Sequence, residues 1–319
     1  MMKQQTRRAV GWLCAAFLFA TQVSCTQPRL EGEDAIPHLQ TEGVRITDSL
    51  GNTFSVSRDA RVISLYGSYA EAWVLAGGAL AGATRDAVEE RGMAVEEDAI
   101  VGSVKSPNLE AILALEPDYV ILSADVTPQR ELESSLREMD VPYGYFRVDT
   151  FGDYRNMMHQ FCAVTGRDDL YRRNVEQAET QIEGILSSVP QGKGPAVLLI
   201  RAFSTGAKAK TEDNLAGMIL KELGCDNIAS RHPSLLEELS LEEVIREDPQ
   251  YIFILTMGDE EEALAFLKEN FESNPAWSGL SAVEGGRCYV LPKALFHNKP
   301  NERWGESYAY LAEILYPQA

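Results

Sequence analysis

The first apolar pattern in the chain predicts a β-hairpin. The segment VRITDSLGNTFSV, residues 44–56, alternates apolar and polar side chains on both sides of Leu50-Gly51-Asn52, which is the signature of two strands joined by a tight turn. We therefore expect the folded body to start near Val44. The short run RVISL, residues 61–65, then predicts a buried strand, and SYAEAWVLAGG, residues 68–78, predicts a helix that ends at glycine.

A second strand is expected near ALAGAT, residues 79–84, and a further helix and strand in NLEAILALEPDYVIL, residues 108–122. In the latter, the leucine and isoleucine residues of LEAILAL lie on one helical face, and Pro117 ends the helix before the apolar run DYVILS. Strand and helix therefore alternate. This order predicts parallel βα units whose loops gather at one end of a sheet.

A long helix is predicted in the middle of the chain. The segment DDLYRRNVEQAETQIEGILSS, residues 168–188, repeats apolar residues at helical spacing over about 30 Å and is followed by the breaker VPQGKGP. We interpret it as a strut between two lobes. After it, the βα order restarts, with strands expected in PAVLLIRAF, QYIFILTMG and RCYVLP and helices in NLAGMILKELG, LSLEEVIRED and EEALAFLKEN.

One helix–proline–strand pattern occurs in both halves. SLEEVIREDPQYIFIL, residues 240–255, aligns without gaps to residues 108–123 at an offset of 132 positions, so that Glu110 corresponds to Glu242 and Pro117 to Pro249. This indicates two similar α/β lobes, each with a glutamate in the first turn of an equivalent helix. Helix electrostatics alone, about 0.3–1 kcal/mol, can account for each glutamate. The pairing between lobes also suggests a two-point docking surface for a partner that carries paired arginines.

The N-terminal residues predict export and anchoring rather than part of the core. Lys3, Arg7 and Arg8 precede the apolar run AVGWLCAAFLFA, which is typical of a signal peptide over residues 1–24. Ser24 before Cys25 resembles a lipobox, in which the cysteine carries the lipid, although Gln22 stands where leucine is usual and ordinary secretion is the alternative. The polar residues 25–43 suit a tether.

Charge and cysteine content narrow the function classes. The formal net charge is -19, and removal of the three basic residues of the signal peptide makes it about -22, which argues against nucleic acid or an anionic membrane surface as partner. An anionic ligand would need a few local arginine and lysine residues. Cys162, Cys225 and Cys288 show no metal or redox spacing. We expect small buried residues there, with a single disulfide left open.

Candidate ligand residues follow the predicted strands, because ligands of βα lobes sit over the strand ends. A polar and aromatic cluster also stands in ALFHNKPNERWGE, residues 294–306, which suits a large conjugated or chelated ligand. Trp304 could equally pack in the core, and Arg303 could form a surface ion pair. The candidates are Tyr66, Ser68, Tyr69, Arg85, Lys105, Ser106, Arg201, Phe203, His297, Arg303 and Trp304.

Enzyme chemistry and a resident metal are not expected. The chain contains no GxSxG elbow, HExxH pair or P-loop, so no catalytic residue is proposed. The four histidines have no paired spacing, so no protein metal site is proposed either. If the ligand is haem, an axial ligand could come from His232, His297, Tyr66 or Tyr69.

These motifs together resemble ABC-transporter substrate-binding proteins of the iron-siderophore and vitamin B12 type, over roughly residues 61–319. The similar pieces are RVISL with its Glu71 helix, VGSVKSPNLEAILALEPDYVIL, the long central helix and ELSLEEVIREDPQYIFIL. The resemblance implies two α/β lobes with parallel-type sheets, residues 44–166 and 195–319, bridged by one helix at 167–190, with ligand in the cleft between them.

The resemblance also implies the partners. One glutamate from each lobe, here Glu110 and Glu242, would pair with arginines of the ABC permease dimer, which works with an ATPase; Glu71, Glu237, Glu238 and Glu243 are alternatives. The ligand would be a ferric siderophore, a corrinoid or haem, without any cofactor. We expect an extracytoplasmic monomer held at the membrane only by its lipid. The alternatives are a sensor or adhesion module on the same fold, or an α/β enzyme.

Overall fold

The computed structural model describes residues 43–190 and 192–317, and these belong to one compact unit. The predicted signal peptide, Cys25 and the tether before Gly43 lie outside the described residues. Within the described ranges, no helix has the length and apolar character needed to cross a membrane.

A four-stranded parallel sheet forms the centre of the N-terminal lobe. Its strands are continuous apolar runs with few exposed side chains, as expected for a sheet covered on both faces. Their spatial order is Leu80–Ala83, Val62–Ser64, Tyr119–Ser123 and Tyr143–Phe146. The predicted hairpin pairs Val44–Thr47 with Thr53–Val56 in antiparallel register. The helices of this lobe include Gly67–Leu75, Asp86–Glu89, Leu109–Ala114, Thr127–Arg130, Glu133–Glu138 and Phe151–Thr165.

A mixed sheet forms the centre of the C-terminal lobe. Its spatial order is Gly206–Lys210, Ala196–Phe203, Tyr251–Thr256 and Cys288–Val290, and the short strand Asp226–Asn227 also pairs with Ala196–Phe203. The first pair is an antiparallel hairpin and the other pairs are parallel. The helices include Leu215–Glu222, Leu241–Glu247, Glu260–Leu267, Pro275–Ser278, Ser281–Glu284, Lys293–Phe296 and Trp304–Leu315.

The predicted long helix runs from Asp168 to Ser188, with a π-helical turn at Arg172–Glu176. Its buried face packs against the C-terminal helix Trp304–Leu315. One hydrophobic core extends from the N-terminal sheet past this helix into the C-terminal sheet, and includes Trp73, Ile182 and Phe253. The fold class is thus confirmed: two α/β lobes are bridged by one helix and enclose a cleft.

The sequence repeat corresponds to equivalent positions in the two sheets. The strands Tyr119–Ser123 and Tyr251–Thr256 each pair in parallel with the first strand, in chain order, of their own central sheet. The preceding helices also end alike, because Glu116 and Asp248, which are equivalent in the alignment, both adopt a left-handed backbone with φ of 47° and 44°. Left-handed conformations are uncommon for residues other than glycine. Their occurrence at equivalent positions before Pro117 and Pro249 therefore supports the interpretation of a structural repeat.

The three cysteines of the described body are unpaired thiols. Cys162 is buried as expected, whereas Cys225 is only half-buried and Cys288 is exposed on the edge strand of the C-terminal sheet. The expectation of buried cysteines was therefore wrong for Cys288, because an edge strand has a partner on one side only.

Candidate functional site

A cavity of about 970 Å³ lies between the two lobes. Its walls come from segments at the carboxyl ends of strands in both sheets, where ligands of open α/β sheets bind. The N-terminal lobe contributes Tyr66, Ser68 and parts of 86–91 and 104–128, and the C-terminal lobe contributes Arg201 and parts of 255–258 and 293–298. The volume is at the upper end of the range for small-molecule and cofactor sites.

Five of the sequence-predicted ligand residues line this cleft: Tyr66, Ser68, Lys105, Arg201 and His297. They come from strand-end loops, from the last part of a strand and from the segment after Phe296. Tertiary folding brings them together although the first and last are more than 230 positions apart.

Two predicted aromatic residues lie behind the cleft wall. Tyr69 is 1 % exposed, its ring centroid is 4.8 Å from that of Tyr66, and its hydroxyl donates to the Phe146 carbonyl oxygen at 3.2 Å. Trp304 is fully buried against Phe151, with ring centroids 6.1 Å apart. Trp304 is therefore a core residue, which is one of the two roles that the sequence analysis allowed for it.

The remaining predicted residues also lie away from the cleft lining. Arg85 is exposed and pairs with Glu97 at 2.9 Å, and Arg303 pairs with Glu306 at 2.8 Å on the C-terminal helix. Ser106 lies in the two-residue strand Ser106–Pro107, and Phe203 is half-buried at the end of its strand. Arg85 and Arg303 are thus each paired with a nearby carboxylate, so their charges are not available to a ligand.

The wall from the N-terminal lobe carries acidic groups around Tyr66. The pKa of Tyr66 is raised to about 12, mainly by burial and to a smaller extent by the neighbouring Asp86, Glu90 and Asp125, while Arg91 opposes them. Asp86 accepts a hydrogen bond from the Gly67 backbone at 2.6 Å through Oδ2. Its Oδ1 is buried without a hydrogen-bond partner among the described residues.

The wall from the C-terminal lobe is basic. Burial lowers the pKa of Arg201, and its Nε is buried without a hydrogen-bond partner in the part of the chain that is described. Lys293 donates to the Gly258 carbonyl oxygen at 2.7 Å. The pKa of His297 is lowered by burial and then by the positive charges of Lys293, Arg201 and Lys299, which favours the neutral form of this histidine.

A polar network joins the lobes next to the cleft. Arg91 donates through Nη2 to Ser68 Oγ at 2.7 Å and to the backbone carbonyl of Lys299, and its Nη1 lies 3.3 Å from Glu71 Oε2. Asn301 Nδ2 donates to Glu71 Oε2 at 2.6 Å and to the Ser68 carbonyl at 2.9 Å.

Arg91 was missed by the sequence reasoning. It stands in the charged stretch VEERG, which is typical of a solvated surface, and its partner Lys299 is 208 positions away. Lys293 and Asp86 were missed for the same reason, because nothing in the local pattern separates them from surface charges. Only a signal from the whole fold could have identified these residues.

The two candidate docking glutamates are both exposed at the start of their helices. Asn108 Oδ1 accepts from the Ala111 backbone at 3.1 Å, and Ser240 Oγ accepts from Glu243 at 3.5 Å, so each helix is already capped by another side chain. Neither Glu110 nor Glu242 forms an ion pair with any described residue. Their carboxylates are thus available to a partner.

The alternative docking glutamates differ in their surroundings. Glu71 belongs to the interlobe network, and Glu243 lies 2.9 Å from His232 Nδ1. His232 is also bound by Glu247 at 2.8 Å, so this histidine is held in a network outside the cleft lining. Among the described residues, no group of three or more histidine, cysteine or acidic side chains is placed to hold a metal ion.

A family model described as "Periplasmic binding protein" matches residues 62–295. A Fe(3+)-citrate-binding protein of Bacillus subtilis (strain 168) is 24 % identical over 190 residues, 59 % of this chain and 58 % of that protein. A vitamin B12-binding protein of Pectobacterium carotovorum is 30 % identical over 162 residues, 48 % of this chain and 56 % of the relative. The match therefore spans little more than half the length of these two curated relatives.

The solved structures support the fold. A crystal structure of an ABC transporter substrate-binding protein from Listeria monocytogenes superimposes with a TM-score of 0.67 at 19 % identity, covering 81 % of this chain and 99 % of that one. The chain thus shares the fold of this structure.

Proposed function

This chain belongs to the periplasmic binding protein family, and we propose that it is the extracytoplasmic solute-binding component of an ABC importer. Its cargo is a ferric siderophore or a related metal chelate, with corrinoid and haem as further members of the same ligand class. Relatives are named for binding Fe(3+)-citrate and vitamin B12. Their names support this class without selecting a single member of it.

The observation that carries the proposal is the interlobe cavity of about 970 Å³. A cavity of this size accommodates a compact chelate, and Tyr66 and Phe296 give it flat apolar contacts. Arg201 and Lys293 supply local positive charge in a chain whose net charge is -19. An anionic part of a ligand can therefore be held against an overall repulsive field.

Delivery requires a membrane partner, and the exposed Glu110 and Glu242 support docking to an ABC permease dimer coupled to its ATPase. Carboxylates with no ion-pair partner in the described body can form bidentate contacts with arginines of a permease. In this proposal the protein acts as a monomer, is exported by residues 1–24 and is held at the membrane by a lipid on Cys25. The folded body occupies residues 44–319.

Replacement of both docking glutamates tests the function. Ligand affinity is measured by isothermal titration calorimetry with ferric citrate, haem and cyanocobalamin, and uptake of the bound compound is followed with a radiolabelled metal. We expect Glu110→Ala with Glu242→Ala to abolish uptake and to leave affinity nearly unchanged, because neither residue lines the cleft.

The matched control is Glu138→Ala with Glu284→Ala, which also removes one exposed glutamate from each lobe. We expect the control to retain uptake. Uptake by the Glu110/Glu242 double variant at the level of the control would refute the docking role. Loss of ligand affinity in that variant would refute it as well.

A further inference from the structure

The basic wall of the cleft has no acidic counterpart of its own. Arg201, Lys293 and His297 line the cleft from the C-terminal lobe, and the described lining residues of this lobe include no aspartate or glutamate. Among the described residues, the one carboxylate that acts on Arg201 is Asp213, which already pairs with Lys210. The positive charge of Arg201 therefore remains available inside the cleft.

The opposite wall carries the opposite sign. Asp86, Glu90 and Asp125 line the cleft from the N-terminal lobe. Asp125 pairs with Arg147 at 2.6 Å, whereas Asp86 and Glu90 have no ion-pair partner in the described part of the chain. On the same wall, the charge of Arg91 is offset by Glu71 at 3.3 Å. Lys105 is exposed, as Glu90 is, and adds one positive charge, so the acidic character of this wall is centred on Asp86 beside Tyr66.

The two walls affect their titratable neighbours in opposite directions. After the effect of burial, the acids raise the pKa of Tyr66, whereas the cations lower the pKa of His297. The charges that act on Tyr66 and on His297 thus differ mainly in sign.

Among the described residues that line the cleft, one charged group on each wall has a buried atom without a hydrogen-bond partner. Asp86 Oδ1 lacks a donor, and Arg201 Nε lacks an acceptor. A buried charged group without a hydrogen-bond partner is unfavourable, and an opposite charge on a ligand in the adjacent cleft lessens that penalty. A purely anionic ligand would satisfy Arg201 and would be repelled by Asp86 and Glu90, which selects against it.

We propose that the cleft selects a dipolar metal chelate, with an anionic group placed against Arg201 and Lys293 and a cationic or hydrogen-bond-donating group placed against Asp86 and Glu90. The inference rests on the proposed function and deepens it, because it specifies how charge is distributed on the ligand. Carboxylate is a suitable anionic group, since arginine can bind it through two parallel hydrogen bonds. Ammonium is a suitable group for the acidic wall.

The ferrioxamines provide a matched set of probes, because they share one ferric trihydroxamate core. Ferrioxamine E is cyclic and has no charged end group, ferrioxamine B has a terminal ammonium, and ferrioxamine G has a terminal ammonium and a terminal carboxylate. Ferric citrate serves as the purely anionic chelate. Affinities for the purified full chain are measured by isothermal titration calorimetry.

We expect ferrioxamine G to bind roughly tenfold or more tightly than ferrioxamines B and E, which is the usual effect of a charged hydrogen bond. Arg201→Gln should weaken binding of ferrioxamine G and ferric citrate by roughly tenfold and leave ferrioxamine E unchanged. Asp86→Asn should weaken binding of ferrioxamines G and B by a similar factor and should not weaken ferric citrate. Control variants Arg137→Gln and Glu138→Gln alter charges outside the cleft lining and should change none of these affinities.

Asp86 also accepts from the Gly67 backbone, so Glu90→Gln provides a second variant of the acidic wall if Asp86→Asn fails to fold. Tighter binding of ferric citrate than of ferrioxamine G would overturn the dipolar inference and leave the proposed function intact. An unchanged or improved affinity for ferrioxamine G in the variant of the acidic wall would also overturn it. A protein that binds none of these chelates, nor haem or cyanocobalamin, would contradict the proposed function itself.

Discussion

Replacing Arg91 by methionine tests whether the polar network holds the two lobes together. The arginine side chain is 9 % exposed, and its guanidinium contacts Ser68, Glu71 and the backbone carbonyl of Lys299. Methionine keeps the apolar stem and removes every one of these contacts. Glu71 then loses its positive partner while it remains mostly buried, at 26 % exposed.

The size of the loss in unfolding free energy depends on the contacts that Glu71 keeps in the variant. Removing one partner of a buried ion pair costs about 3–5 kcal/mol, because the other charge is left without compensation. Here the cost is reduced, since Glu71 is partly hydrated and still accepts from Asn301 Nδ2 at 2.6 Å. We therefore expect Arg91→Met to lower the free energy of unfolding by about 2–3 kcal/mol and Tm by roughly 3–5 °C.

Urea denaturation and differential scanning calorimetry measure this change, and Arg137→Met is the matched control. Arg137 pairs with Glu133 at 2.6 Å on one helix, with the two side chains 70 % and 44 % exposed, and such exposed pairs contribute about 0–1 kcal/mol. Equal stability of the Arg91 and Arg137 variants would refute the interpretation of the network as an interlobe contact.

Two further predictions concern His297 and Cys25. Burial and neighbouring cations lower the pKa of His297 below 6.5 in the folded state, so the unfolded chain binds the proton first as the pH falls. The contribution of neutral His297 to the free energy of unfolding is therefore fully present above pH 6.5 and is lost as the pH falls towards the lowered pKa. His297→Asn should flatten this part of the curve of unfolding free energy against pH, and an unchanged slope between pH 7 and 5 would contradict it. Cys25→Ala should move the protein from the membrane fraction to the soluble extracytoplasmic fraction, and a variant that still fractionates with membranes would exclude Cys25 as the anchor.

The sequence was most informative where neighbouring residues decide the structure. The alternating hairpin at residues 44–56 and the apolar run at 119–123 form strands because their patterns match the two-residue period or the complete burial of a strand. The repeat at residues 108–123 and 240–255 also predicted a similarity between distant segments, since equivalent sequences produce equivalent helix ends at Glu116 and Asp248. The carboxyl ends of strands were also identifiable, which explains why Tyr66, just after a strand, and Arg201, in the last part of one, were among the candidates that line the cleft.

The sequence was least informative where partners distant along the chain decide the role of a side chain. Trp304 lies in a polar segment, yet the start of the C-terminal helix turns it into the core beside Phe151. Arg91 lies in a charged stretch, yet it reaches Lys299 in the other lobe. Neither outcome follows from local periodicity, because each depends on how the two lobes meet.

The sequence by itself thus determined the alternation of strand and helix, the two related lobes, the long helix between them and the loops that face the cleft. These features follow from hydrophobic periodicity, because the burial of one face of a strand or helix depends on residues that are only a few positions apart. Only the tertiary structure decided which of the candidate charges are paired and which have no ion-pair partner among the described residues. Arg85 is neutralised by a nearby glutamate whereas Arg201 is not, and the difference arises because ion pairing depends on distance in space rather than on spacing along the chain.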